Sequence, residues 1–165
     1  MSELTPEAGA AVPKTVVVES AGAAYLQRVA AGNHVFAADE PVGSGGGDAG
    51  PTPYDLLLSA LGACVSMTLG IYARRKGWPL QGVRVRLRHS RVHAADCEGC
   101  ESASGAMLDR IDEEIELAGP LEAAQRERLL EIAGRCPVHR TLTGKIEIRS
   151  ALVPPTAAPG HISES

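Results

Sequence analysis

An α+β domain with a largely antiparallel sheet and one long, buried central helix is the fold this sequence predicts. Three observations carry it. Short segments with alternating apolar residues recur along the chain, the mark of half-buried strands. One run, Leu56–Ile71, is apolar almost all round at helical spacing. The order is strands, long helix, strands, helix, strand, without the strand–helix alternation of a parallel sheet.

Each element follows in order. Residues 1–13 are rich in Ala, Pro and Glu and predict a disordered tail. Val16-Val17-Val18 marks a strand over Thr15–Glu19. Tyr25–Ala31 and His34–Ala38 flank Gly32-Asn33, the turn of a hairpin. The Gly- and Pro-rich stretch Asp39–Pro53 reads as a long loop, and Gly43–Gly50 within it as a flexible lid. Pro53 suits the first turn of a helix. Positions 56, 57, 60, 61, 64, 65, 68 and 69 then keep helical spacing. Arg74, Arg75 and Lys76 complement the dipole at its far end, and Gly77 stops it. Val83, Val85 and Leu87 alternate with arginines as a strand, and His89, Arg91 and His93 continue its inner face by parity. Ala94–Gly105 is a small-residue loop. Ile111, Ile115 and Leu117 predict a further strand, Leu121–Gly134 a second helix, and Ile146 with Ile148 a last strand. A single domain therefore spans 14–153, and the Pro-rich residues 154–165 form a second tail. One small sheet cannot cover so apolar a helix, so a symmetric dimer sharing it is expected.

Composition narrows the function. The chain has 165 residues, 44% of them hydrophobic but only 3% aromatic. Its core is therefore aliphatic. A formal net charge of −4 argues against non-specific nucleic-acid binding. No signal pattern is read in the sequence and no apolar run approaching roughly 18 residues, so a soluble, cytoplasmic protein without a membrane partner is expected. In that compartment four cysteines point to catalysis, metal binding or burial rather than to a static disulfide framework.

Two of these cysteines are far apart in sequence. Cys64 lies within Leu56-Leu57-Leu58-Ser59-Ala60-Leu61-Gly62-Ala63-Cys64. Cys136 opens Cys136-Pro137-Val138-His139-Arg140-Thr141-Leu142 just after the second helix. Taken alone, each also reads as a small buried residue. A thiol at a helix start, near Arg135, His139 and Arg140, is expected to ionise more easily.

The segment from Gly45 through Thr52-Pro53-Tyr54-Asp55 to Cys64 resembles the core motif of the OsmC/Ohr family, the osmotically inducible and organic hydroperoxide resistance proteins. The segment Glu131-Ile132-Ala133-Gly134-Arg135-Cys136-Pro137-Val138-His139-Arg140-Thr141-Leu142 resembles its second motif. The similarity runs from about Tyr25 to Leu152. It implies an OsmC-like fold in an intertwined homodimer whose two cysteines share one site at the interface. It further implies that Cys64 attacks an organic hydroperoxide and becomes a sulfenic acid. Cys136 then resolves it to a disulfide, which a dithiol such as reduced lipoamide reopens. No cofactor is implied.

The sequence departs from the peroxidase pattern at two places. The family's glutamate lies ten positions before the first cysteine, where this chain has Tyr54; Asp55 is adjacent but turned about 100° around the helix. The family's early arginine falls in Ala21–Tyr25, which holds none, and Arg28 is the nearest. Tyr54, Asp55, Arg28, His139 and Arg140 are therefore the supporting candidates. The departure keeps a second function open: an OsmC-like redox sensor or small-ligand binder without efficient turnover.

A weaker alternative is metal. Cys97-x-x-Cys100 with His93 has structural zinc spacing, although His89, the next candidate, lies about 13 Å along the strand from His93. The glycine run lacks the Gly-Lys-Ser/Thr of a phosphate loop. His34 in the hairpin reads as a hydrogen-bonded structural residue.

Overall fold

The computed structural model describes residues 15–22, 24–93 and 107–154. Three strands, β1 (Val16–Ser20), β2 (Gln27–Ala31) and β3 (His34–Ala38), form an antiparallel sheet in that order. Gly32 makes the hairpin turn with a φ of 61°, which a side chain would resist. A 24-residue helix, α1 (Pro53–Lys76), follows. β4 (Gly82–His93) and β5 (Met107–Ala118) pair antiparallel as a second sheet. Two helices, α2 (Ala123–Ala133) and α3 (Pro137–Thr143), complete the order. The α+β class, the antiparallel pairing and the long helix are as expected.

The start of α1 is fixed by a capping box. The Thr52 hydroxyl accepts the Asp55 N–H at 3.1 Å, and the Asp55 carboxylate accepts the Thr52 N–H at 3.0 Å. Gly77, at φ 66°, closes the other end by donating to Ala73 and Arg74 carbonyls. Along α1 the residues Leu61, Val65, Leu69 and Ala73 are buried, one residue per turn. They pack against Leu121, Leu129, Ile132, Ala133 and Cys136 from the α2–α3 side. The inner faces of β4 and β5, including Val83, Val85, Leu87, Ile111, Ile115 and Leu117, close the other side. A wholly buried aliphatic side chain such as Val65, Leu69 or Leu129 contributes about 1.5–3 kcal/mol, and the partly buried strand residues less. Gly62 permits the helix to approach the sheet: a Cβ there would lie 2.8 Å from the Leu87 methyl group.

Several expectations are corrected. Burial of α1 is a stripe rather than all round, and Leu57, Met67 and Ile71 stay exposed on one chain. By length and composition α1 alone among the described helices is long enough to cross a membrane, against the expectation that no such run exists. Ile146 and Ile148 form no strand and pair with no strand among the described residues; both are exposed. Arg91 keeps its place opposite Asp109 on the face of β4 that carries His89, but its side chain is 65% exposed. The Gly43–Gly50 segment is tied down rather than a free lid. The buried Asp39 carboxylate accepts N–H groups from Glu40 and Gly47 at 2.9 Å and from Ala49 at 3.2 Å. His34 is exposed at the start of β3. The N-terminal tail and all but Pro154 of the C-terminal one lie outside the described residues, as does the Cys97–Cys100 pair of the zinc reading, while the third member of that reading, His93, ends β4.

Candidate dithiol site

Cys64 sits mid-way along α1, next to Val65 and one turn after Leu61, at the margin of the buried stripe. It is half-buried. Cys136 comes from the opposite direction. After α2 ends, the Cys136 N–H closes a turn on the Ala133 carbonyl at 3.1 Å. Cys136 is then the N-cap of α3, with Pro137 in the first turn. Its Sγ accepts the His139 N–H at 3.2 Å and is wholly buried. The fold places Cys64 against the core cluster that contains Cys136, near enough for each thiol to feel the other. Both are free thiols.

The electrostatics of Cys136 differ from the sequence expectation. Burial pushes its thiol pKa up. The His139 N–H opposes this, and neighbouring Cys64 raises it again through its hydrogen bond and its charge. The net direction is upward, so desolvation and the second thiol outweigh a helix of only seven residues. Cys136 is held as a thiol, ill suited to make the first attack.

The supporting candidates are placed elsewhere or differently. His139 contributes its backbone N–H to Cys136, while Arg140 and Arg135 are exposed. Arg28 pairs with Glu19 across the β1–β2 ladder at 3.1 Å, both side chains open to solvent. Asp55 is engaged in the α1 cap, which holds its carboxyl below the usual range through the Thr52 hydroxyl and N–H. Tyr54 stacks on the His89 ring, with centroids 4.3 Å apart and 20° between planes.

That stack leads to a group the sequence reading missed. His89 Nε2 lies 2.8 Å from Asp109 Oδ1. Asp109, Ile111 and Glu113 on β5 then line a cavity of about 210 Å³ with Leu61, His139, Leu142 and Thr143. Burial pushes the Glu113 carboxyl up, against the pull of His139. Its Oε1 is closed off from solvent and has no hydrogen-bond partner among the described residues. The signal was present: Glu113 has the parity of Ile111, Ile115 and Leu117, so it had to face inward.

A family model described as OsmC-like protein matches residues 45–151, a span that contains both cysteines and most of the core. The chain belongs to the OsmC family. Solved structures agree on the fold. A Psychrobacter arcticus protein assigned to osmotic stress induction and the detoxification response is 22% identical, with a TM-score of 0.61 over 79% of this chain and 89% of that one. An organic hydroperoxide resistance protein OsmC from Legionella pneumophila is 16% identical, with a TM-score of 0.61 over 82% of this chain and 93% of that one. The organic hydroperoxide resistance protein OhrB of Bacillus subtilis is 16% identical, with a TM-score of 0.56 over 81% and 92%. Among curated proteins none matches. At these identities the likeness is one of fold alone.

Proposed function

We propose that the protein is an OsmC-like thiol peroxidase that reduces organic hydroperoxides through the Cys64–Cys136 couple. The observation that carries the reading is the meeting of these two thiols, one half-exposed and the other sealed behind it. The Cys64 thiolate attacks the hydroperoxide and the O–O bond breaks. One oxygen stays as Cys64–S–OH, and the alkoxide takes a proton to leave as alcohol. Cys136 then attacks the Cys64 sulfur and hydroxide leaves, protonated to water, from a new disulfide. A dithiol, lipoamide-like in class, restores both thiols. Contact between the sulfurs favours the disulfide over further oxidation.

A symmetric homodimer belongs to this reading. Met67 and Ile71 on α1, Val35 and Phe36 on β3, and Ile146 and Ile148 near the C-terminus are all exposed apolar residues. Val29 and Ala38 of the first sheet are buried apart from the main core cluster. A second copy would cover these faces and give the Ile146–Ile148 segment a neighbour. We read the dimer as soluble and cytoplasmic.

The second reading, a redox sensor or ligand binder with slow turnover, is favoured by the engagement of Arg28 with Glu19 and of Asp55 with Thr52. Stopped-flow reaction with an alkyl hydroperoxide separates the two. Fast loss of peroxide in wild type but not in Cys64→Ser supports the peroxidase. Equally slow traces sink it.

A further inference from the structure

We propose that the cavity beside the dithiol receives the head group of the thiol that reopens the Cys64–Cys136 disulfide, and that it takes a cationic or hydrogen-bond-donating head in preference to a carboxylate. The inference rests on the dithiol reading above and names the reductant class for that site.

Neither cysteine lines the cavity, but two of its lining residues are their close neighbours. Leu61, in its wall, is one helical turn before Cys64. His139, also in its wall, holds Cys136 Sγ through its N–H. At about 210 Å³ it has room for roughly seven water volumes of 30 Å³ each, the size of a small organic head. Leu61, Ile111 and Leu142 give it apolar walls.

Its polar groups are biased to one sign. Asp109 already has His89 at 2.8 Å and Arg91 at 4.0 Å. The Thr143 hydroxyl donates to the His139 carbonyl at 2.9 Å. Glu113 is left: its Oε1 is sealed from solvent and lacks a donor among the described residues. A buried acceptor without a donor is costly, and a guest N–H or O–H relieves that cost. Among the described residues no Lys or Arg lines the cavity, and the nearby Arg91 is turned to Asp109 with its side chain 65% exposed. An acidic guest meets two carboxylates; an ammonium guest meets its counter-charge.

The step balances as follows. The guest's thiolate attacks the Cys64 sulfur, forming a mixed disulfide and expelling the Cys136 thiolate, which takes a proton. A second thiol attacks the guest sulfur and releases the Cys64 thiolate, also protonated. The guest leaves as its disulfide, and two electrons and two protons stay with the protein.

The test uses full-length protein oxidised with tert-butyl hydroperoxide or diamide, then reduced with cysteamine or 3-mercaptopropionate, with rates expressed per thiolate. The expected result is a cysteamine preference in wild type that falls about five- to tenfold in Glu113→Gln. Asp109→Asn lowers it less. An unchanged preference in folded Glu113→Gln overturns the inference while leaving the dithiol reading standing. A second measurement needs no variant: ethylammonium is expected to slow reduction of the wild-type disulfide by 2-mercaptoethanol more than propionate does, and equal effects also overturn it. A protein that forms no Cys64–Cys136 disulfide with either oxidant removes both readings together.

Discussion

Replacing Cys136 with serine tests how the site balances stability against chemistry. The thiol is fully buried and accepts the His139 N–H at 3.2 Å. Serine keeps an acceptor for that N–H, so the α3 cap survives. It also places a hydroxyl in the apolar cluster that includes Val65, Leu129 and Ile132. Burying a poorly partnered hydroxyl costs about 1–3 kcal/mol. For a chain of this length 1 kcal/mol moves Tm by about 2–4 °C, so a loss of roughly 2–12 °C is expected in a calorimetric melt. The chemical consequence is separate. After one equivalent of alkyl hydroperoxide, intact mass of Cys136→Ser is expected to show oxygen added at Cys64, whereas wild type loses two hydrogens. The reasoning is refuted if the variant melts as wild type does, or if both proteins give the same oxidation product.

Other outcomes follow from the same contacts. Leu129→Ala empties a wholly buried position between α1 and α2 and is expected to lower stability by about 3–5 kcal/mol in urea unfolding; a cost below about 1 kcal/mol would mean that α2 does not seal this core. Glu113 has a raised folded pKa, so its contribution is fully present at acid pH and is lost as pH rises through the folded value. Glu113→Gln is therefore expected to gain stability over wild type on going from pH 4 to pH 8, and a pH-independent difference contradicts the burial argument. Thr52→Ala removes half of the α1 capping box and should cost about 1 kcal/mol; no change in urea midpoint would deny the cap its role. Met67→Asp on the open face of α1 is expected to give monomers by light scattering, and a dimer that survives it places the interface elsewhere.

Much of the fold was legible because its signals are local. Pro53, the apolar spacing from Leu56 to Leu69 and Gly77 fix α1 without any partner. Alternation fixes β4 and β5. What failed depended on distant or missing neighbours. Ile146 and Ile148 alternate as a strand does, yet a strand exists only where an edge receives it. Apolar composition marked α1 for burial, but coverage depends on what packs over it. At the site, the approach of Cys64 and Cys136 was readable only through the resemblance, since no local rule joins α1 to the start of α3. The upward shift at Cys136 escaped because helix-end electrostatics is local whereas desolvation comes from the whole core. The loop Asp39–Thr52 looked free for the same reason: its glycines are visible in the sequence, whereas the three N–H groups gathered on Asp39 are not.

The most direct measurement is a non-reducing peptide map of wild-type protein after one equivalent of alkyl hydroperoxide. The peptide from α1 bearing Cys64 is expected to be joined to the peptide bearing Cys136, with neither found free. Recovery of both as free thiols, or a bond confined to Cys97 and Cys100, would contradict a single redox couple at the start of α3.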